Sequence, residues 1–297
     1  MTLHRRLTIV QHNVQSWQTN KYNLTNAYQQ IDPDIILINS HGLTTDHPPI
    51  KISNYITYSS NKLNQAHSGA AIAVKKNIQH SLHDNYDTDF LTITVQTKTG
   101  PLDLSTTYIP PRTGHLYAPD LFKILNSNRQ SITIADFNAR HPHFQHNDSN
   151  VTGRHLHDLL LLTDSHHIGP HFPTLLRPNS ATSPDLVLTN RFTTVNTHSR
   201  PGPMTSSDHL PIILTVSTDP ILIPIKPRPS YKQANWDGYT LSLSDNPTID
   251  LHDGTLQDID NAIETVTRQI QDAVHRHIPT VHHRPIPYPR LTDTLDA

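Results

Sequence analysis

Short apolar runs alternate with amphipathic stretches along residues 7–216. The apolar runs are rich in β-branched and aromatic residues and stop at turn-forming residues, a pattern that predicts β-strands. The predicted strands are 7–10, 35–39, 55–59, 70–74, 91–97, 102–108, 131–135, 185–188 and 212–216. Segments 21–30, 119–126 and 152–163 have apolar residues at helical spacing and predict helices. So many strands with so few helices predict an α/β fold, a four-layer sandwich of two packed β-sheets flanked by helices.

The character of the sequence changes after this region. Prolines crowd residues 220–229 and again 283–290, which predicts irregular linker segments. Between them, residues 255–277 carry one apolar stripe at helical spacing and predict a helix. We therefore predict one domain at 1–218 and, at 219–297, a proline-rich linker and helix that lead toward a further domain.

Composition limits the function classes. Charged residues make up 16% of the chain and the formal net charge is −2. This balance argues against a protein that coats nucleic acid non-specifically, so nucleic-acid contacts would have to come from a local basic patch. The absence of cysteine excludes disulfides and thiolate metal sites. The apolar runs are too short to cross a bilayer and the N-terminus lacks a signal-peptide core, so we expect a soluble, intracellular protein with no membrane partner.

Histidine is unusually frequent, with 23 residues, whereas Glu264 is the only glutamate. Pairs such as His141/His143 and His155/His157 point to a zinc site as one interpretation. The histidines are nevertheless scattered over predicted loops and helices without an accompanying group of carboxylates. Compositional bias therefore explains them better than a zinc site does.

The clearest chemical signal follows the apolar strand 131–135, where Asp136 and Asn138 stand two residues apart. Such side chains can project from one strand end into a cleft, where sheet enzymes keep their sites. An ionised aspartate there can accept a proton from an attacking water, and an asparagine amide can hold a phosphate oxygen. The same Asp-x-Asn pattern is common in ordinary turns, so alone it leaves both interpretations open.

Two more signals precede or open the last predicted strands. Asp208 and His209, just ahead of strand 212–216, offer a carboxylate for a metal and an imidazole for a phosphoryl oxygen. Asp185 opens strand 185–188, where a carboxylate could fix the tautomer of a histidine through its second nitrogen. Capping and turn aspartates give the same patterns, so each remains ambiguous in isolation.

Two weaker signals complete the set. Asn13 lies just beyond the first strand, and Tyr108 ends strand 102–108 ahead of two prolines. Such residues often only cap strands. Because all five groups stand at the ends of different predicted strands, we expect them to converge on one rim of the sandwich.

In this order and spacing the motifs resemble the endonuclease domain of jockey-like and related non-LTR retrotransposons, a DNase I-like domain of the exonuclease–endonuclease–phosphatase superfamily. The match covers residues 7–216 and consists of the strand ending at Asn13, Asp-Pro-Asp34-Ile-Ile-Leu, Tyr108-Ile-Pro-Pro, Ala-Asp136-Phe-Asn138-Ala, Gly153-Arg154, Ser-Pro-Asp185-Leu and Ser207-Asp208-His209-Leu-Pro.

The resemblance implies roles for these residues. Asp136 would orient or deprotonate the attacking water. The scissile phosphate would be contacted by three residues: Asn13, Asn138 and Tyr108.

The resemblance also implies that His209, oriented by Asp185, stabilises the charge that develops on phosphorus. Asp208 would help to hold a divalent metal, together with Asn13 and the residue at position 40. Mg²⁺ suits such a site of oxygen ligands, retained waters and substrate phosphate, and Mn²⁺ is the alternative.

The sequence departs from the family at the main metal ligand. The family places a glutamate after the second strand, where this chain has Ser40. A neutral hydroxyl is a weaker ligand for Mg²⁺ than a carboxylate. Three interpretations stay open. Asp208, the Asn39 side chain and water hold the metal; or His41 or Asp46 moves in and favours Mn²⁺; or the site is inactive. A second departure is Gln15, which stands where related abasic-site enzymes carry an aspartate.

The implied function is a metal-dependent DNA endonuclease that nicks double-stranded target DNA. The nick would leave a 3′-hydroxyl primer for the reverse transcriptase domain of the same polyprotein, toward which segment 219–297 would lead. Other enzymes of this fold are abasic-site nucleases, deadenylases, phosphoinositide phosphatases and sphingomyelinases, and the long tail would be odd in a stand-alone repair enzyme. The alternative from a different class is a non-catalytic DNA-binding relic, which Ser40 favours.

Partners and place of action follow from the same resemblance. Positively charged side chains near the predicted rim could contact DNA phosphates: Arg112, Arg140, Arg154 and Arg177. We expect the isolated domain to be monomeric and to act in the nucleus after synthesis in the cytoplasm.

Overall fold

The computed structural model describes residues 6–44, 46–60, 68–83, 90–111, 118–224, 227–244 and 255–281. The chain divides into two units, residues 1–223 and 224–297.

In the described part of the first unit, every predicted strand and helix of residues 7–216 is present. The strands are β1 (Leu7–Asn13), β2 (Ile35–Asn39), β3 (Tyr55–Ser59), β4 (Ala70–Lys75), β5 (His80–Leu82), β6 (Leu91–Thr97), β7 (Gly100–Thr106), β8 (Gln130–Asp136), β9 (His166–Gly169), β10 (Leu175–Arg177), β11 (Ser180–Thr182), β12 (Asp185–Thr189), β13 (Thr197–Pro201) and β14 (Ile212–Val216). The helices are α1 (Trp17–Ile31), α2 (Ala118–Leu125) and α3 (Val151–Thr163).

Twelve of these strands build two six-stranded sheets that pack face to face. The first sheet has the order β13-β14-β1-β2-β4-β3 and the second the order β5-β6-β7-β8-β12-β9. Apolar side chains from both sheets meet in one buried cluster, which includes Ile9 and Leu37 from the first sheet and Leu104 and Ile134 from the second. Burying this apolar area is the main force that holds the sheets together.

The outer faces of the sheets are covered by helices. Alternation along β1 places Val10 on the outer face of the first sheet, where it packs with Leu24 and Tyr28 of α1. On the second sheet, Leu186 packs in one cluster with Leu156 of α3 and with residues of α2. Helix, sheet, sheet and helix form four layers, so the predicted α/β sandwich is confirmed.

Helix α3 begins directly against the loop that follows β8. Asn150 caps the helix because its side chain accepts the backbone N–H of Gly153. Gly153 leaves no room for a side chain, since an added Cβ would lie 1.9 Å from the carbonyl oxygen of Arg140. The Asn150 amide also donates to the carbonyl oxygen of Asn138 at 2.7 Å, which ties the helix start to a predicted site residue.

The strands that the sequence did not predict are short: β5, β9, β10, β11 and β13. Strand β13 lies within residues 190–203, where the sequence pattern predicts no strand or helix. It forms the edge of the first sheet by pairing with β14. Its alternating exposed and half-buried residues give no apolar signal, so the neighbouring strand rather than the local sequence determines its conformation.

In the second unit the predicted helix is α5 (Leu256–His277), and α4 (Trp236–Ser244) and a short pair of strands, β15 (Arg228–Pro229) and β16 (Thr280–Val281), were not predicted. Helix α5 starts with a capping box formed by Thr255 and Asp258. The proline-rich stretch at 283–290 lies outside the described residues. No helix in the described part of the chain is long and apolar enough to cross a membrane.

Candidate active site

The inward-facing positions of the central strands change from apolar to polar at one end of the sandwich. In β1, Ile9 lies in the core between the sheets, whereas Gln11 and Asn13 on the same face are polar and buried. Strands β2 and β8 repeat this pattern and end in Asn39 and Asp136. Buried polar side chains from both sheets therefore face one another there.

Strand direction explains why these ends coincide. Strands β1 and β2 run parallel, with Asn13 beside Asn39. Strand β12 runs antiparallel to β8, so its first residue, Asp185, lies beside the last residue of β8, Asp136. Strand β14 runs antiparallel to β1, and His209 precedes it at the same end. The predicted convergence on one rim is what the structure shows for these side chains.

Asp136 is held by hydrogen bonds from both sheets. The Asn13 amide donates to its Oδ2 at 2.7 Å, and the backbone N–H of Asn138 donates to its Oδ1 at 3.0 Å. Asn138 adopts a left-handed conformation with φ 46°, and its side-chain amide donates to the carbonyl oxygen of Ile109 at 2.9 Å. Burial raises the pKa of Asp136 to about 7, and the nearby Asp185 carboxylate adds to the rise. A carboxyl group with this pKa can accept a proton near neutral pH.

His209 and Asp185 form a buried ion pair, with Nδ1 donating to Oδ2 at 2.8 Å. Burial opposes the charge on His209, but the Asp185 carboxylate outweighs it and raises the pKa of His209 to about 9. In turn, His209 lowers the pKa of Asp185 against the effect of burial. At neutral pH the imidazole is therefore a cation that can donate from Nε2.

Two buried side chains fix the Asp185 carboxylate. The Thr174 hydroxyl donates to Oδ2 at 2.6 Å, and the Gln11 amide donates to Oδ1 at 2.8 Å. The same Gln11 nitrogen reaches Asn39 Oδ1 at 2.8 Å, so it links the two sheets. Sequence reasoning missed both. Gln11 had a signal, a polar residue at an inward position of a core strand, whereas Thr174 lies in a segment without any predicted element.

Tyr108 lies at the same rim, bridged to Asp136 through the backbone. Its hydroxyl shares a hydrogen bond with Ser40, and both residues are buried. Burial raises the pKa of Tyr108 to about 12, with Asp136 adding to the rise, so the phenol stays protonated at neutral pH. The residue in the position of the family's glutamate is thus bound to a phenol that can donate to a phosphate.

Asp208 is the sole carboxylate among the residues predicted to bind the metal, Asp208, Ser40 and Asn13. Its Oδ1 accepts from the Gln15 amide and its Oδ2 from Arg177 Nε at 3.4 Å. Its side chain is 30% exposed. Mg²⁺ commonly keeps several waters and takes one or two carboxylates plus substrate phosphate. The donor set therefore fits a largely hydrated divalent cation at Asp208.

The other residues considered as metal ligands are engaged elsewhere. Asn13 Oδ1 accepts from the backbone of Gln15 at 3.1 Å, and both ends of the Asn39 amide are hydrogen-bonded. His41 is buried, with Nε2 at 3.1 Å from the Ser60 carbonyl oxygen and Nδ1 accepting from a backbone N–H. His41 would have to give up these contacts to reach a metal, and Asp46 is an exposed residue.

Among the described residues, one group of three His, Asp or Glu side chains has ligand atoms within 4.8 Å of one another, and it is Asp136, Asp185 and His209. The rings of His141 and His157 stack at 4.3 Å, and His143 lies 5.2 Å from His157. These three histidines do not form such a group, so the described part of the chain gives the zinc interpretation no support.

Among the described residues, two of the predicted phosphate-contacting arginines pair with aspartates of the chain. Arg140 pairs with Asp148 at 2.7 Å, Arg154 is exposed on α3, and Arg177 pairs with Asp208. Arg112 lies outside the described residues.

Comparisons with known proteins show similarity to endonuclease and reverse transcriptase proteins. A sequence profile described as "Endonuclease-reverse transcriptase" matches residues 102–213. The chain is 26% identical over 271 residues to a probable RNA-directed DNA polymerase from transposon X-element of Drosophila melanogaster, covering 86% of this chain and 30% of that protein. It is 24% identical over 220 residues to the RNA-directed DNA polymerase from mobile element jockey of Drosophila funebris, covering 71% of this chain and 24% of that protein. The chain thus spans less than a third of the length of these relatives.

Solved structures show the same fold. The endonuclease domain of TRAS1, a telomere-specific non-LTR retrotransposon, has a TM-score of 0.60 at 15% identity and covers 71% of this chain and 98% of that domain. The catalytic domain of Xenopus laevis APE2 has a TM-score of 0.55 at 16% identity, covering 73% of this chain and 94% of that one.

The described fold is that of DNase I-like endonuclease domains, and residues 102–213 match an endonuclease–reverse transcriptase profile. Both relatives are RNA-directed DNA polymerases of transposable elements. The chain is thus similar to one part of these proteins and, in fold, to the endonuclease domain of a non-LTR retrotransposon.

Proposed function

We propose that this domain is a divalent-metal-dependent endonuclease that nicks double-stranded target DNA and leaves a 3′-hydroxyl for target-primed reverse transcription. The observation that carries the proposal is the buried network at one rim, in which Asn13 of the first sheet holds Asp136 of the second beside the Asp185–His209 ion pair. Burial raises the pKa of Asp136 to about 7 and its carboxylate neighbours raise that of His209 to about 9, and shifted pKa values of adjacent groups are typical of catalytic sites.

In the proposed reaction, a water molecule attacks the scissile phosphorus and Asp136 accepts its proton. The bond from phosphorus to the 3′ oxygen breaks, and that oxygen takes up a proton to leave as the hydroxyl. His209 donates from Nε2 to a phosphoryl oxygen and stabilises its increasing negative charge, while Asp185 holds the ring in place. The remaining N–H of Asn138 and the Tyr108 hydroxyl would position the phosphate.

A divalent cation, Mg²⁺ or Mn²⁺, would be held at Asp208, with Ser40 and Asn13 near the shell, and would neutralise charge on the phosphate. This assignment rests on the chemistry of Asp208, a carboxylate at the rim whose side chain is 30% exposed.

The partners in this proposal are double-stranded DNA and the reverse transcriptase domain of the same polyprotein, with action in the nucleus and a monomeric domain. The relatives support the polyprotein link, because both are RNA-directed DNA polymerases.

The test is nicking of supercoiled plasmid by the purified chain, first with Mg²⁺ and then with Mn²⁺. We expect Asp136→Ala and His209→Ala each to reduce the nicking rate by at least about a thousandfold, as removing a general base or an electrostatic stabiliser does. Asp158→Asn serves as the matched control, because Asp158 is 75% exposed on α3. Nicking that is no higher in the wild type than in the site variants, in either metal, would refute the catalytic proposal and favour a DNA-binding relic.

A further inference from the structure

The Asp208 carboxylate, the proposed ligand of the divalent cation, already forms an ion pair with Arg177. We propose that Arg177 is a built-in competitor for the divalent cation: it occupies the Asp208 carboxylate in the free protein, and the cation must displace it. This inference rests on the proposed function, in which Asp208 binds that cation.

Backbone pairing places Arg177 there. The N–H of Leu176 donates to the carbonyl oxygen of Asp208 at 2.9 Å, and Leu175 pairs with His209 in an antiparallel bridge. Arg177 is the next residue of β10, and it pairs with Ser180 where the hairpin with β11 closes. The backbone of Arg177 is therefore fixed beside the segment that contains Asp208, which keeps the guanidinium within reach of the carboxylate.

Both oxygens of Asp208 are engaged, and Oδ1 also lies 3.9 Å from Nε2 of His209. The two hydrogen-bond donors differ in charge. Gln15 donates a neutral amide to Oδ1, whereas Arg177 brings a full positive charge to within 3.4 Å of Oδ2. A hydrated cation can bind to a carboxylate that also receives a hydrogen bond from a neutral amide, because the amide carries no net charge to repel it. It cannot share Oδ2 with a guanidinium without strong repulsion between the two positive charges.

Exposure and charge allow this exchange. Asp208 is 30% exposed and Arg177 61% exposed, so the arginine can leave without opening the core. The nearby carboxylates do not replace Asp208 as the ligand. Asp185 pairs with His209, and Asp136 is buried with hydrogen bonds to both of its oxygens. Because Ser40 stands in place of a charged ligand, removing the positive charge of Arg177 considerably changes the net charge beside the proposed cation site.

The size of the effect follows from Coulomb's law. Charges of +1 and +2 about 5 Å apart in water, reduced by screening at low salt, change an affinity by about five- to tenfold. Removing the charge of Arg177 is therefore expected to tighten binding of a divalent cation by about that factor.

The experiment measures Mn²⁺ binding to the full chain at low, fixed ionic strength, from the electron paramagnetic resonance signal of free Mn²⁺. Arg177→Gln removes the charge, Arg177→Lys keeps it, and Asp208→Asn removes the carboxylate. Arg191→Gln is the matched control, an exposed arginine that lies over the Phe192 ring.

We expect Arg177→Gln to bind Mn²⁺ about five- to tenfold more tightly than the wild type, and Arg177→Lys and Arg191→Gln to bind like the wild type. Asp208→Asn should weaken binding at least tenfold. Equal or weaker binding by Arg177→Gln would overturn the inference, as would unchanged binding by Asp208→Asn. Plasmid nicking by the same proteins separates the two proposals. If the wild type nicks DNA in a way that depends on Asp136 while Arg177→Gln binds Mn²⁺ with unchanged affinity, only the proposed competition by Arg177 is overturned.

Discussion

The Asp185–His209 pair gives the sharpest prediction, the substitution Asp185→Asn. The ordinary pKa of a histidine is 6.5 and that of His209 is about 9, a difference worth about 3 kcal/mol in favour of the charged ring. Burial alone would lower the pKa, so the carboxylates around the ring, Asp185 first, supply more than this amount. Asparagine keeps an acceptor oxygen at the same place but removes the negative charge. We therefore expect the pKa of His209 to fall to about 7 or below.

The measurement is a pH titration of the histidine side chains by nitrogen-detected nuclear magnetic resonance, with His209→Asn used to assign the signal. The same variant should nick DNA at least about a hundredfold more slowly at pH 8, because the ring is then largely neutral and loses a cationic donor. A His209 signal that still titrates near pH 9 in Asp185→Asn would show that other groups set its charge, and the reasoning would fail.

Three further predictions concern packing, positioning and pH. Gly153→Ala should lower the free energy of unfolding by about 3 kcal/mol or more, since its Cβ would lie 1.9 Å from a backbone oxygen; urea denaturation within 1 kcal/mol of the wild type would contradict this. Thr174→Val should slow nicking about tenfold or more, because valine lacks the hydroxyl that donates to Asp185, whereas Thr174→Ser keeps this hydroxyl and should nick like the wild type. Equal rates for both variants would argue against a positioning role. Burial lowers the pKa of His12 to about 4, so its stabilising neutral form is fully present above pH 6.5 and lost as the pH falls toward 4. The stability advantage of the wild type over His12→Gln should accordingly shrink over that range, by up to about 3 kcal/mol, and a constant difference in unfolding free energy would disprove it.

Much of the fold could be predicted because its central strands carry their own signal. Strands such as β2 and β14 are buried on both faces, so they read as continuous apolar runs with clear ends. The edge strand β13 and the hairpin β10–β11 carry no such signal, since their residues are exposed or half-buried and their conformation depends on pairing with a neighbouring strand. Local patterns cannot reveal conformations that depend on those contacts.

The site could be predicted in part for a related reason. A polar residue directly after an apolar strand, such as Asp136, marks the point where the inward face leaves the apolar core. The contacts that set its chemistry, by contrast, join distant segments: Thr174 reaches Asp185 through a hairpin, and Arg177 reaches Asp208 through backbone pairing. Only the folded structure brings those pairs together.

The position of β14 has a consequence for the order of events during synthesis. This strand is the last of the first sheet along the chain, yet it lies between β13 and β1 and is preceded by His209. A ribosome therefore delivers Asn13, Asp136 and Asp185 well before the histidine they require. The first sheet, and with it the rim that joins these four side chains, is complete only when the final strand pairs with the first.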